Sequence, residues 1–152
     1  MSYSLQPCQK RQWRHVFGGT LQEIASAAEW IDSIAAAAGL SENQAFSMQV
    51  CLEELMSNIV QHGRTHSRKD SVGCGALTIS IAIDAYDDRI MMTVEDNAQP
   101  FDLAKAVAKK VDRPLDQLEP GGLGVHLIKS FASALEYERT DRGNRVTVEF
   151  KG

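Results

Sequence analysis

Glu54 and Asn58 are the first residues whose types and spacing could do chemistry, four positions apart in the segment EELMSN. In a helix this spacing places both side chains on one face. A carboxylate beside a carboxamide suits a hydrated Mg²⁺, which takes oxygen ligands and keeps several waters. Asn58 could ligate the metal, while Glu54 positions a water or accepts a proton from a hydroxyl nucleophile. The alternative is two solvated residues of an exposed helix.

A second segment, VEDNAQPFD, places Asp96 where a β-branched run ends. A carboxylate just past a strand can accept a hydrogen bond from an exocyclic amine, and so choose adenine over guanine. A buried carboxylate needs such a donor, because an unpaired buried charge is costly. Asp-Asn ahead of Pro100 is equally consistent with an ordinary Asx turn.

The third segment, PGGLGVHLI, has three glycines at Gly121, Gly122 and Gly124, and an apolar helical pattern follows at once. Glycine lets a backbone approach a ligand closely. A helix that starts here presents free N–H groups and the positive end of its dipole to a phosphate. No Gly-Lys-Ser/Thr follows, which excludes a P-loop, and the glycine spacing is wrong for a Rossmann fingerprint. A flexible hinge is the alternative.

The helices that carry these segments are bounded by recognisable signals. Thr20 and Gly39 predict a helix between them. Ser41 and Gln44 form a capping-box pattern for a second helix, which we expect to stop at Gly63. Its inward face is predicted to comprise Phe46, Val50, Leu55 and Ile59, and the inward stripe of the first helix Leu21, Ile24, Ala28, Ile31, Ala35 and Ala38.

The remaining pattern is β-rich, and it defines the fold class. An edge strand is expected near residues 13–17, and hairpins are expected at 77–95 and 135–150. Helical character recurs at 102–110 and 125–131. The order β-α-α-β-β-α-α-β-β predicts an α+β fold, a two-layer α/β sandwich whose mixed sheet is covered on one face by helices.

Composition limits the classes of function that need considering. The 152 residues fit one domain, 1–152, with 43% hydrophobic and 24% charged residues and a net charge of −4. This balance gives no footprint for nucleic acid. Three scattered cysteines favour reduced thiols and a cytoplasmic location. No stretch approaches the ~20 apolar residues of a membrane span, and we expect no signal peptide.

Taken in order, the three segments resemble the Bergerat (GHKL, HATPase_c) ATPase superfamily. Within it the chain is most similar to the anti-sigma-factor serine/threonine kinases of the RsbW type, over about residues 10–150. The pattern Glu-x-x-x-Asn-x-x-x-His-Gly corresponds to Glu54 through Gly63, and Asp…Pro-Phe-Asp corresponds to Asp96 through Asp102.

The resemblance implies a role for each matching residue. Glu54 is the general base, Asn58 ligates Mg²⁺ and Asp96 binds the adenine amine. The remaining nucleotide contacts fall on Ala98, Gly121, Gly122, Leu123, Gly124 and Asn144. Residues 103–120 correspond to an ATP lid.

The implied function is an ATP-dependent protein serine/threonine kinase that acts as an anti-sigma-factor-type regulator. The resemblance implies that it phosphorylates a STAS-domain anti-anti-sigma protein. It also allows a sigma factor as a second partner and a homodimer as the assembly. No direct contact with nucleic acid or membrane is implied. The alternative is a non-catalytic ATP-binding switch that sequesters a partner; a detached histidine-kinase domain ranks below both.

This chain departs from the family pattern at three positions. Ala98 stands where the family usually has glycine, Asn144 where related ATPases often have threonine, and Pro120 where some serine kinases have arginine. Alanine does not readily hold a positive φ, so a positive φ at position 98 would be strained. The departures bear on catalytic rate more than on nucleotide binding.

Overall fold

The structure is a computed structural model that describes residues 11–66, 76–100 and 122–151. Its elements are β1 (Arg11–Gly18), α1 (Leu21–Ala38), α2 (Glu42–His66), β2 (Thr78–Ala85), β3 (Arg89–Asp96), α3 (Gly122–Phe131), β4 (Ala134–Arg139) and β5 (Asn144–Lys151). The helix predicted at 102–110 and the lid at 103–120 lie outside the described residues. So do the side chains of residues 62–66 and 122–126.

The five described strands form one sheet in the order β1-β2-β3-β5-β4, and each pairing among them is antiparallel. The prediction of a mixed sheet is therefore wrong for this part of the chain. The chain leaves the sheet at the end of β1 and, after the helical hairpin of α1 and α2, re-enters it at the same end. Thr78 therefore begins β2 beside Gly18, the last residue of β1. In the same way Asn144 begins β5 beside Asp96. The α+β class is confirmed.

The core lies between the helices and one face of the sheet. Side chains of β2, β3 and β5 alternate between buried and partly exposed, as expected for a sheet with a single covered face. The helix-facing positions of these strands are Ile79, Ile81, Ile83, Ala85, Ile90, Met92, Val94, Asp96, Asn144, Val146, Val148 and Phe150. This alternation decides which polar side chains face the helices.

The predicted caps between α1 and α2 are confirmed. Gly39 ends α1 in the left-handed region at φ 71°. Ser41 Oγ accepts from the Gln44 N–H at 3.1 Å, and Gln44 Oε1 accepts from the Ser41 N–H at 2.9 Å, as in a capping box. The predicted stop at Gly63 is wrong, because α2 continues to His66. Glycine costs a helix about 1 kcal/mol without ending it.

The predicted inward faces of α1 and α2 are only partly correct. Leu21 is 66% exposed, whereas the predicted Ile31 is buried, together with Ala27 and Ile34, which were not predicted. The alanines of α1 lie on all of its sides, so apolar periodicity alone does not select the face that is buried. Phe46 is 57% exposed and packs edge-on against Phe131 of α3 at 5.9 Å between ring centroids. Among the described residues no helix is long and apolar enough to span a bilayer.

Candidate functional site

Asp96 is the last residue of β3 and one of the few buried polar side chains of the described core, at 7% exposure. It shares its strand face with Met92 and Val94, which lie against the helices. Period-two alternation therefore directs its carboxylate into the helix–sheet interface. The sequence prediction of an Asp at a strand end is confirmed.

The hydrogen bonds of Asp96 converge on one of its two oxygens. Oδ1 accepts from the Ala98 N–H at 2.9 Å and from Asn144 Nδ2 at 2.9 Å. No contact within the described residues uses Oδ2. Burial raises the pKa of Asp96 above its ordinary value, and the bonds from Asn144 and Ala98 and the charge of Arg139 offset part of that rise. The result is a buried carboxylate with one oxygen left for an external donor.

Asn144 is the direct partner of this carboxylate. It is 3% exposed and begins β5 opposite Asp96. Its Nδ2 also donates to the Gln99 carbonyl at 2.9 Å, so both amide hydrogens have acceptors within the protein. Its Oδ1 accepts from the Tyr137 hydroxyl at 2.5 Å and from Arg139 Nη1 at 3.4 Å. The structure thus places Asn144 as the residue that holds Asp96.

Ala98 completes a turn around the same carboxylate. Its N–H closes an Asx-type turn on Asp96, and its carbonyl accepts from Arg139 Nη1 at 2.7 Å. No residue other than glycine has a positive φ in the described part of the chain. Alanine in place of the family's glycine is therefore accommodated here without backbone strain.

Gly143 packs directly on the backbone of Asp96, and sequence reasoning did not assign it to the site. A Cβ at this position would lie 1.7 Å from the Asp96 carbonyl oxygen and 2.8 Å from Asn97 Cα. Tyr137 and Arg139 were missed as well. The signal for Arg139 was the closing hairpin, because its register sets Arg139 opposite Asn144.

Asn58 is the third buried polar residue of the described core, on α2 at 4% exposure. Its Nδ2 has no hydrogen-bond partner among the described residues. A buried amide group without a partner costs about 1–3 kcal/mol, which an external partner would recover. The two ends of a carboxamide exchange by a 180° rotation, so either its oxygen or its nitrogen can face that partner.

Glu54 lies one turn before Asn58 and is partly buried. Burial raises its pKa above the ordinary 4.5, and the negative charge of Glu53 raises it further. Cys51 lies on the same face of α2, one turn before Glu54. Its Sγ is 4.0 Å from the Ile128 carbonyl, so this face contacts α3. Burial and the nearby Glu54 raise the pKa of Cys51 to about 12, so the thiol stays protonated. This stretch of α2 therefore faces α3.

The glycine-rich segment forms the start of α3. The helix begins at Gly122, three residues earlier than predicted, so Leu123 and Gly124 belong to its first turn, and Gly121 lies outside the described residues. The first four N–H groups of a helix have no partner within it, and they carry the positive end of its dipole. Because α2 contacts both α3 and β3, Asn58 lies on the element between the glycines and Asp96.

A separate cleft of about 380 Å³ occupies the uncovered face of the sheet near the end of β3. Its lining is polar and comprises Thr78, Ser80, Glu95, Asp96, Asn97, Thr140, Asp141, Arg142 and Arg145. Ser80 and Glu95 alternate with the buried positions, so this cleft lies across the sheet from Asn58. The predicted lid, 103–120, which would border the helix side, is outside the described residues.

Comparison with known proteins places this arrangement in a family. The sequence model of the histidine kinase-like ATPase domain family matches residues 17–150 of this chain. The serine/threonine-protein kinase BtrW of Bordetella bronchiseptica is 27% identical over 129 residues, which cover 85% of this chain and 86% of BtrW. The serine-protein kinase RsbW of Bacillus cereus is 28% identical over 102 residues, which cover 64% of this chain and 59% of RsbW. The alignment thus spans less than two thirds of RsbW.

A solved structure shares the fold. The crystal structure of the RsbU and RsbW domains of Rv1364c from Mycobacterium tuberculosis superposes with a TM-score of 0.60 at 13% identity, over 93% of this chain and 32% of that one. With the family model matched over most of its length, the chain belongs to the histidine kinase-like ATPase domain family, and within it the chain is similar to the RsbW-type serine kinases.

Proposed function

We propose that the chain binds Mg-ATP on the helix side of its sheet and transfers the γ-phosphoryl group to a serine or threonine of a partner protein. The observation that carries the proposal is the Asp96 carboxylate, which is buried, held through Oδ1 and left with Oδ2 unassigned. In a chain of this family, such a group suits the exocyclic amine of adenine. Both oxygens of the carboxylate would then have donors, which burial requires.

Asn58 and the start of α3 fit the phosphate end of the same ligand. The buried Asn58 amide has no protein partner for Nδ2, so a ligand can settle which of its atoms faces the site. Asn58 would give an oxygen to Mg²⁺, which accepts few protein ligands and keeps waters. When bound, the metal neutralises phosphate charge. Gly121, Gly122, Leu123 and Gly124 would contribute backbone N–H groups to the phosphates.

Glu54 would act as the general base. Its raised pKa strengthens it as an acceptor for a hydroxyl proton compared with a fully exposed glutamate. Asn58 lies on the same helix face one turn later, so the base and the metal ligand are fixed relative to each other by α2. Orientation of the acceptor hydroxyl and electrostatic stabilisation of the transferring group would supply most of the rate.

The activity is inferred from the names of the relatives, and the partner from the resemblance to the RsbW type. BtrW and RsbW are named as serine/threonine and serine kinases, which supports protein phosphorylation by this chain. We propose a STAS-domain anti-anti-sigma protein as the substrate, with a sigma factor as a second partner, a homodimer as the assembly and the cytoplasm as the location. The 1–152 chain would act as one domain.

Incubation of the protein with γ-labelled ATP, Mg²⁺ and a STAS-domain protein tests the proposal. Label is expected on a serine or threonine of the STAS domain. Glu54→Gln should bind ATP as the wild type does and transfer no phosphate, while Glu29→Gln, which removes an exposed carboxylate of α1, should transfer normally. Binding of ATP without transfer by the wild type would establish the sequestering switch in place of the kinase. Absence of ATP binding would reject both.

A further inference from the structure

The Asn144 carboxamide is held in one orientation by two donors from β4. Its Oδ1 accepts from the Tyr137 hydroxyl at 2.5 Å and from Arg139 Nη1 at 3.4 Å. A carboxamide nitrogen has no lone pair to offer these donors, so the oxygen must face β4 and the nitrogen must face Asp96. Tyr137 and Arg139 therefore favour the same orientation of Asn144 as its two acceptors, the Asp96 carboxylate and the Gln99 carbonyl.

These side chains belong to one face of three neighbouring strands. Asp96 on β3 pairs with Asn144 on β5, and Asn144 pairs with Arg139 on β4. Tyr137 lies two residues before Arg139 and shares its face. Since paired residues of adjacent strands have side chains in contact range, the edge strand β4 reaches the Asp96 carboxylate by hydrogen bonds through Asn144.

The orientation of Asn144 decides which oxygen of Asp96 is available. As placed, Nδ2 donates to Asp96 Oδ1 at 2.9 Å, and Oδ2 receives no hydrogen bond from the described residues. A flipped amide would set two acceptors against each other, and the carboxylate would have to rotate. Arg139 adds a tether, because Nη1 also donates to the Ala98 carbonyl at 2.7 Å and so holds the turn that follows Asp96.

We propose that Tyr137 and Arg139 are positioning residues for base recognition, which fix the Asn144 carboxamide and thereby leave Asp96 Oδ2 free for the amine of adenine. The inference rests on the proposed function and deepens it, because it assigns nucleobase selectivity to a relay of Tyr137, Arg139, Asn144 and Asp96. Neither β4 residue touches the nucleotide. Both act through the carboxylate.

Tyr137→Phe tests the relay, because it removes one hydroxyl and keeps the ring that packs against the core. Titration calorimetry would compare ATP with purine riboside triphosphate, which lacks the exocyclic amine. Loss of one net hydrogen bond should weaken ATP binding about 2- to 10-fold and leave the affinity for the analogue unchanged. The preference for ATP should shrink by the same factor. A purely structural role would change both affinities alike.

Tyr86→Phe is the matched control. Tyr86 lies at the opposite end of the sheet, with Arg89 over its ring at 5.2 Å. Its loss of a hydroxyl should leave the preference for ATP unchanged. Arg139→Met should reduce the preference, and Arg139→Lys should restore part of it.

The outcomes separate the relay from the proposed function. An unchanged preference in both Tyr137→Phe and Arg139→Met, alongside a wild type that binds ATP and an Asp96→Asn variant that does not, overturns the relay and retains the function. A wild type without ATP affinity overturns both. A reduced preference in the β4 variants, with Tyr86→Phe normal, supports the relay.

Discussion

Replacement of Asp96 by asparagine should abolish ATP binding without weakening the fold. The asparagine Oδ1 can still accept from the Ala98 N–H and Asn144 Nδ2. Its Nδ2, however, would occupy the place of Oδ2 and oppose the amine of adenine with a second donor. The lost charge-assisted bond is worth about 1.5–3 kcal/mol, and the opposed donors cost a further ~1–3 kcal/mol. Since 1.4 kcal/mol is about tenfold, Kd should rise on the order of 100-fold or more.

The stability of the variant follows from the pKa of Asp96. Burial raises that pKa above 3.8, so the folded chain holds the proton more tightly than the unfolded chain does. The free energy of unfolding therefore falls as pH rises from 3.8 through the folded pKa. At pH 7 the ionised carboxylate carries this cost and asparagine does not. The melting temperature of Asp96→Asn should equal or exceed that of the wild type at neutral pH, and any gain should vanish on acidification.

Calorimetric titration and thermal melts together provide the assay. Mg-ATP at 100 times its Kd should stabilise the wild type by about 2.7 kcal/mol, or about 5–11 °C for a chain of this size, and should leave Asp96→Asn unchanged. Asp84→Asn, whose carboxylate accepts from Gln12 Nε2 at 2.7 Å near the far end of β2, is the control and should bind ATP normally. Wild-type affinity in Asp96→Asn would refute the adenine assignment. A large fall in melting temperature would show that Asp96 serves the fold instead.

Two further substitutions test the surroundings of the site. Gly143→Ala would place a Cβ 1.7 Å from the Asp96 carbonyl oxygen. It should lower the melting temperature by at least about 5 °C and weaken ATP binding, while Gly18→Ala, whose Cβ would meet Glu23 Cγ at an ordinary 3.7 Å, should do neither. Equal melting temperatures for the two glycine variants would contradict the packing argument. Glu53→Gln removes a charge that raises the pKa of Glu54, so the acidic limb of the pH–rate profile for phosphoryl transfer should move to lower pH. If this limb does not move, a group other than Glu54 controls it.

The sequence alone predicted where Asp96 and Asn144 lie on the strands better than it predicted their contacts. Asp96 was predicted from the end of a β-branched run, and alternation along β3 then requires it to face the helices. Asn144 was predicted to lie near the base, but its hydrogen bonds to Asp96 and Tyr137 depend on the pairing of β3, β5 and β4. Strand order joins residues that are far apart in sequence, so the contact of Asn144 with Asp96 carried no local signal, whereas the register of the closing hairpin could have placed Arg139 opposite Asn144.

The helices show where local patterns suffice and where they do not. The capping box joins Ser41 and Gln44, only three positions apart, so the local sequence determines it. The buried face of α1 depends on which side meets the sheet, and an alanine-rich helix offers several similar faces. Phe46 was expected inside because it is apolar, yet it lies at the surface against Phe131. Packing partners from α3 decided that position.

Asp96 pairs with Asn144 across β3 and β5, so the affinity for nucleotide also depends on whether these two strands have paired in the correct register. A slip of one residue between these strands would turn Asp96 toward the uncovered side and take Asn144 away from it. A mispaired conformer would then be unable to recognise the base, however compact it was. Nucleotide present during refolding should therefore enrich the correctly aligned molecules, by selecting them from the ensemble after they form.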